Sequence, residues 1–198
     1  MNPDIDLDAE ELKYLAIQAI SNEQPEQAIL YLKRAIAKAP PDGQLLYLLA
    51  GEHARIGLYD RAAQGMEQAL IVAPGLHSAR LQLGLLYLCA ARVEQASSTL
   101  SPLIAMDEGE PLRHFALGLQ HLMHDRFLAC RAAMEQGMAL NVENPALNTD
   151  MRRILDMLPD DDGDEDKDED KDEDKDAAQA PGEGSLWLSA YRRGEGMH

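Results

Sequence analysis

One feature constrains this chain more than any other: it repeats at a fixed interval. Leu15, Leu49, Leu83 and Leu117 are each separated by 34 residues. Ala16, Ala50, Gly84 and Gly118 follow them in the same phase, as do Ala28, Ala62, Ala96 and Cys130. Ala35, Ala69, Leu103 and Gly137 complete the pattern. Within one period, Gly43 to Pro74, two amphipathic stretches flank a break at Gly57. Each period is therefore read as two helices and a turn. One such pair cannot bury its apolar face alone, so successive pairs must stack around a continuous core.

Along the chain, the apolar spacing and its punctuation place eight paired helices. They run over about Asp8–Ser21, Pro25 to before Pro40, Asp42–Ile56, after Gly57 to Val72, His77–Ala90, Val93–Met106, Pro111–Met123 and Arg126–Leu140. Pro25 falls in a first turn, where its missing N–H does no harm. Pro102 falls inside a helix and predicts a kink or an early end. A ninth helix, about Pro145–Leu158, carries an apolar stripe of Leu147, Met151, Ile154, Leu155 and Leu158. A repeat array needs such an element to close its last apolar face. The stretch 1–8 is expected to fray.

These residues resemble the pattern of the tetratricopeptide (TPR) repeat. Repeat two carries it at Leu46, Leu49, Ala50, Ala62, Met66, Ala69 and Pro74, and repeat one at Leu12, Leu15, Ala16, Ala28, Leu32, Ala35 and Pro40. Repeat three keeps Leu83, Gly84, Tyr87, Ala96 and Leu100; repeat four keeps Leu117, Gly118, Cys130, Met134 and Gly137. The closing Pro is missing from the last two. The resemblance covers about residues 9–142. It implies an all-α, right-handed solenoid of four helix pairs, at 9–42, 43–76, 77–110 and 111–144, with a capping helix at 145–158. It also implies a general role in binding proteins.

By that family's geometry, the first helix of each pair lines a concave groove. The implied groove residues are mixed in the first half and apolar in the second: Tyr47, Arg55, Leu81, Leu85, Leu88, Phe115, Leu119, Leu122 and Met123. An exposed apolar groove of that extent would mark an interaction site. The carboxylate clamp of chaperone-binding TPRs is not matched, because Ile17 stands four residues after Lys13 and the corresponding later stretch is Leu81 to Leu85.

Beyond Pro159 the composition changes. Of the net charge of −17, residues 160–176 carry −10, from 13 acidic groups and three lysines. A dense like-charge block with no apolar residue is expected to be disordered, so 159–184 reads as an acidic linker. It lacks the ligand spacing of a calcium loop, since Leu158 stands where the first Asp would be needed before Gly163. At 185–194 the chain is apolar again. Ser185 is a candidate N-cap and Gly194 a candidate stop for a short helix. Leu186, Trp187, Leu188 and Tyr191 form a candidate binding peptide, with the chain's only Trp.

Lys and Arg form no strip that matches a phosphate backbone, so neither nucleic acid nor an anionic membrane is an expected partner. No apolar run could span a bilayer. The acidic start lacks the pattern of a secretory signal, which predicts a cytoplasmic protein and sets it apart from the exported lipoprotein pilotins of pilus assembly. Cys89 and Cys130 read as small apolar core residues. Among the histidines, His121 and His124 are spaced so that they could share a metal. However, His121 occupies the repeat position of His53 and Tyr87, which favours a structural role. Neither a phosphate loop nor an activated nucleophile stands in a known motif. The expectation is a non-enzyme without cofactor, metal or small-molecule substrate: an adaptor holding a partner's peptide or helix in the groove of repeats three and four. A chaperone for an apolar client is one alternative, and self-assembly or autoinhibition through the Trp187 peptide is another.

Overall fold

In a computed structural model, the structure describes residues 7–38 and 41–159. Nine helices and no strand occur among the described residues. They are α1 (Ala9–Ser21), α2 (Pro25–Lys38), α3 (Gly43–Arg55), α4 (Tyr59–Val72), α5 (His77–Cys89), α6 (Val93–Ile104), α7 (Pro111–Met123), α8 (Phe127–Leu140) and α9 (Pro145–Asp156). Their ends lie within two residues of those expected. The acidic linker and the peptide with Leu186, Trp187, Leu188 and Tyr191 lie outside the described residues.

Helix starts follow local chemistry. Asp8 caps α1 by accepting from Glu11 N–H at 2.8 Å, while its own N–H donates to the Glu11 carboxylate at 2.8 Å. This reciprocal capping box satisfies two otherwise orphaned donors. It corrects the expectation that residues through 8 fray, since Asp8 is held and Leu7 packs against the core. Asp42 caps α3 through Gln44 N–H at 2.8 Å. Pro111 opens α7. Helix α6 continues through Pro102 and stops at Ile104, earlier than the periodicity alone suggests.

The turn inside each repeat is made the same way. Glu23, Gly57, Ala91 and Asp125 all have positive φ, at 55°, 76°, 58° and 54°. The next N–H in each case reaches the carbonyl five residues back: Gln24 to Ala19, Leu58 to His53, Arg92 to Tyr87 and Arg126 to His121, at 2.8–3.1 Å. This is the Schellman closure of a helix C-terminus, which wants a left-handed residue just past the end. Only one of the four is glycine, so only Gly57 was legible as a breaker.

The described chain divides into two compact units, one through Leu86 and one from Tyr87 onward. In the first, α1 packs on α2, α2 on α3 and α3 on α4. Its core holds Leu12, Ala16, Leu32, Ala35 and Leu45. Gly65 allows a close approach of α3 and α4, because a Cβ there would lie 2.9 Å from that of Ala50. In the second unit, α6 packs on α7, α7 on α8 and α8 on α9. Ala96, Leu100, Leu103, Cys130 and Met134 are sealed inside it. The in-phase positions account for much of this burial. Ala28, Ala62, Ala96 and Cys130 are all at 0% exposure, which puts the Cys130 thiol in an alanine's place.

Helix α9 docks through Met151, Ile154, Leu155 and Leu158, all buried. Asparagines fix its start. Asn144 caps it through Leu147 N–H at 3.1 Å. The buried Asn141 amide donates to Asn144 O at 2.8 Å and to the Asn148 side-chain oxygen at 2.7 Å. Asn148 returns a bond to Asn141 O at 3.0 Å. Because these amides are out of water, the network favours one register of α9 against α8.

Candidate functional site

The nine residues expected to line a groove do not share one environment. In the first unit, Tyr47 on α3 is half-buried, and burial pushes its phenol above the usual range. Arg55 is exposed at the end of α3, and its guanidinium folds back on the buried Glu52. Nη2 and Nε reach one Glu52 oxygen at 2.7 and 3.1 Å. A buried carboxylate needs such a partner, so Arg55 has a structural task whatever else it meets. On α5, Leu85 is half-buried and Leu81 is closed off at 2% exposure.

In the second unit the groove expectation fails at most of its positions. Leu88, Phe115 and Leu119 are at 0% exposure and Leu122 at 1%, so with Leu81 they have no free surface to offer a partner. Only Met123 remains half-buried. The physical reason is clearest at Phe115. Its ring lies over Gly137 of α8, where a Cβ would come within 2.6 Å of Cε1. The missing side chain makes room for the ring. Helix α7 is also packed on two sides, by α6 and α8, and its buried set includes His114, Phe115, Ala116, Gly118, Leu119 and Leu122. A helix apolar on so much of its circumference is a core helix. The resemblance had assigned these residues to an open face.

A different concavity opens between α7 and α8, within the second unit. It is a cleft of about 460 Å³. Leu117 supplies its apolar side from α7, and Ala129, Ala132 and Ala133 supply it from α8. The rim is polar, with Glu108, Arg113, His114, His121 and Gln136. The first turn of α7 is staked to the preceding loop: Arg113 Nη1 donates to Met106 O at 2.6 Å, and His114 Nε2 lies 2.7 Å from Glu108 O. Burial lowers the His121 pKa, and the nearby Arg126 and His124 lower it further. The imidazole is therefore neutral at neutral pH. None of the lining residues belongs to α9. Nothing in the spacing of Ala129, Ala132 and Ala133 marks an open face.

The His121 carbonyl closes the α7 terminus, as the His53 carbonyl closes α3. Among the described residues, no group of three or more His, Cys, Asp and Glu is placed to hold a metal ion. No described helix is long and apolar enough to cross a membrane.

No family model matches the chain, and no curated protein matches it in sequence. Solved structures do match it in fold. A MamA fragment from Desulfovibrio magneticus RS-1 superposes with a TM-score of 0.57 at 21% identity, covering 75% of this chain and 85% of that one. YrrB, described as a TPR protein with an unusual peptide-binding site, gives 0.55 at 14% identity, covering 73% and 74%. PilF of Pseudomonas aeruginosa gives 0.55 at 16% identity, covering 75% and 73%. The chain has the TPR fold. At these identities the likeness is one of fold, and that to PilF says nothing of export or lipidation.

Proposed function

We propose that this TPR-fold chain is a non-catalytic protein-interaction module that binds an extended or helical apolar segment of another protein. The observation that carries the reading is the fold itself: paired helices whose first members repeat one face. YrrB, similar in fold, is described as having a peptide-binding site. Because five of the nine expected groove residues are core and Arg55 is engaged by Glu52, recognition is assigned to the apolar ones that keep free surface. These are Tyr47 and Leu85 in the first unit and Met123 in the second. Half-buried apolar side chains on rigid helices suit helix-in-groove recognition, because they lose little freedom on binding.

The test is affinity capture from native extract with three full-length baits: the natural chain, Tyr47→Asp with Leu85→Asp, and Met123→Asp. Circular dichroism would confirm that each is folded. A protein captured by the natural chain and lost with the first or the last variant supports the reading. Capture unaffected by either variant overturns the assignment of these residues.

A further inference from the structure

Beyond the described residues the chain carries an apolar segment, Leu186–Tyr191. We propose that this segment seats in the α7–α8 cleft, so that the chain covers the cleft with its own C-terminal stretch. This inference is independent of the partner reading above, which concerns other residues.

Two observations carry it. First, the cleft has an apolar side lined by small residues. Ala129, Ala132 and Ala133 lie along one face of α8, and Leu117 faces the same space. Small residues opposite a leucine leave a slot that takes an indole or a phenol, with Gln136 and His121 at the rim to meet its polar edge. Leu186, Trp187, Leu188 and Tyr191 supply that kind of side chain, and Trp187 is the only indole in the chain. Second, the described chain ends beside the cleft. Arg131 Nη2 donates to Pro159 O at 3.4 Å, and Arg131 adjoins Ala132 on α8. Residues 160–185 intervene, and a flexible chain of that length spans roughly 28 Å root-mean-square, at about 5–6 Å per square-root residue. Such a tether holds the segment at an effective concentration on the order of millimolar.

The test uses the full chain and the fluorescence of Trp187. The expected result is native emission shifted to the blue of the urea-unfolded chain, with iodide quenching reduced at least two-fold. Ala132→Glu with Ala133→Glu places carboxylates in the cleft at exposed or half-buried helical positions. It should return the emission to the unfolded wavelength with helical circular dichroism unchanged. Should that variant lose its helical signal, a second full-length variant, Trp187→Gly with Leu188→Gly, decides. Hydrogen exchange across residues 127–136 should then rise relative to the natural chain, and unchanged exchange overturns the proposal. Native emission already at the unfolded wavelength also overturns it. So does a blue shift that disappears on dilution, which would make a second copy the occupant. A shift that survives the cleft variant but is lost in Tyr47→Asp with Leu85→Asp overturns it as well, by placing the segment elsewhere.

Discussion

Helix pairs α3–α4 and α7–α8 share a repeat phase yet divide surface from core differently. Tyr47 and Phe115 occupy the same repeat position, 68 residues apart. Tyr47 stays half-buried, and Ala69 holds the place in its repeat that Gly137 holds in the other; Phe115 is fully buried, and its ring lies over Gly137. In α3–α4 the glycine is elsewhere, at Gly65, where it brings the helix backbones together at Ala50. Removing a Cβ at one site admits an aromatic ring, and at the other it shortens the distance between helices. The phase of a repeat fixes which way a side chain points. The volume of the residue opposite decides whether it is sealed in.

The largest test of this contrast is to truncate both aromatics. Phe115→Ala should destabilise the protein by about 3–5 kcal/mol, the usual range for emptying a fully buried aromatic site. Tyr47→Ala should cost about 1–2 kcal/mol, since only part of its apolar area leaves water on folding. Urea unfolding of both variants checks the order; equal losses would break the comparison.

Filling the glycines is the next step down. Gly137→Ala should cost about 1–3 kcal/mol, because the added Cβ meets a rigid ring and overpacks the core. Gly118→Ala should cost somewhat less, about 1–2 kcal/mol. Its new Cβ meets Cγ of the fully buried Met134 at 2.6 Å, so that chain must shift near its root, while its rotatable bonds and the better helix propensity of alanine offset part of the cost. Thermal denaturation of the pair would show whether side-chain flexibility sets the penalty.

Smaller effects are expected at the turns. Ala91→Gly should stabilise by about 0.5–1 kcal/mol, by relieving a left-handed alanine at the expense of a looser unfolded chain. Gly57→Ala should destabilise by about 1 kcal/mol for the converse reason. Opposite shifts in unfolding midpoint would confirm that both positions serve one closure.

The smallest effect concerns the two histidines in phase. Burial lowers the pKa of His53, as do Lys33 and Arg61, and the His121 pKa is lowered in the same direction. The folded state then binds fewer protons than the unfolded chain just below the ordinary histidine pKa of about 6.5. The stability these residues contribute is complete above that value and is lost as pH falls from it toward the folded value. Unfolding midpoints between pH 7 and 5.5 should decline less in His53→Gln than in the natural chain. An identical slope would show that His53 is not coupled to folding.

Much of the fold was legible before any coordinates. Small residues at fixed phase marked where helices meet, since only a small side chain allows close approach at a crossing. The candidate site was less legible. Phe115 reads as a groove residue until Gly137 is seen beneath it, and those two are 22 residues apart with no sequence signal joining them. The positive φ of Glu23, Ala91 and Asp125 was hidden because their side chains carry no mark of the conformation the Schellman closure imposes.

The sequence by itself determined the period, the helices and the small positions at their crossings, because these follow from local hydrogen bonding and from spacing along one helix. Only the tertiary structure decided which apolar residues are surface and where a cleft stays open. Those depend on the volumes that face each other across a pair, and that pairing is a property of packed space.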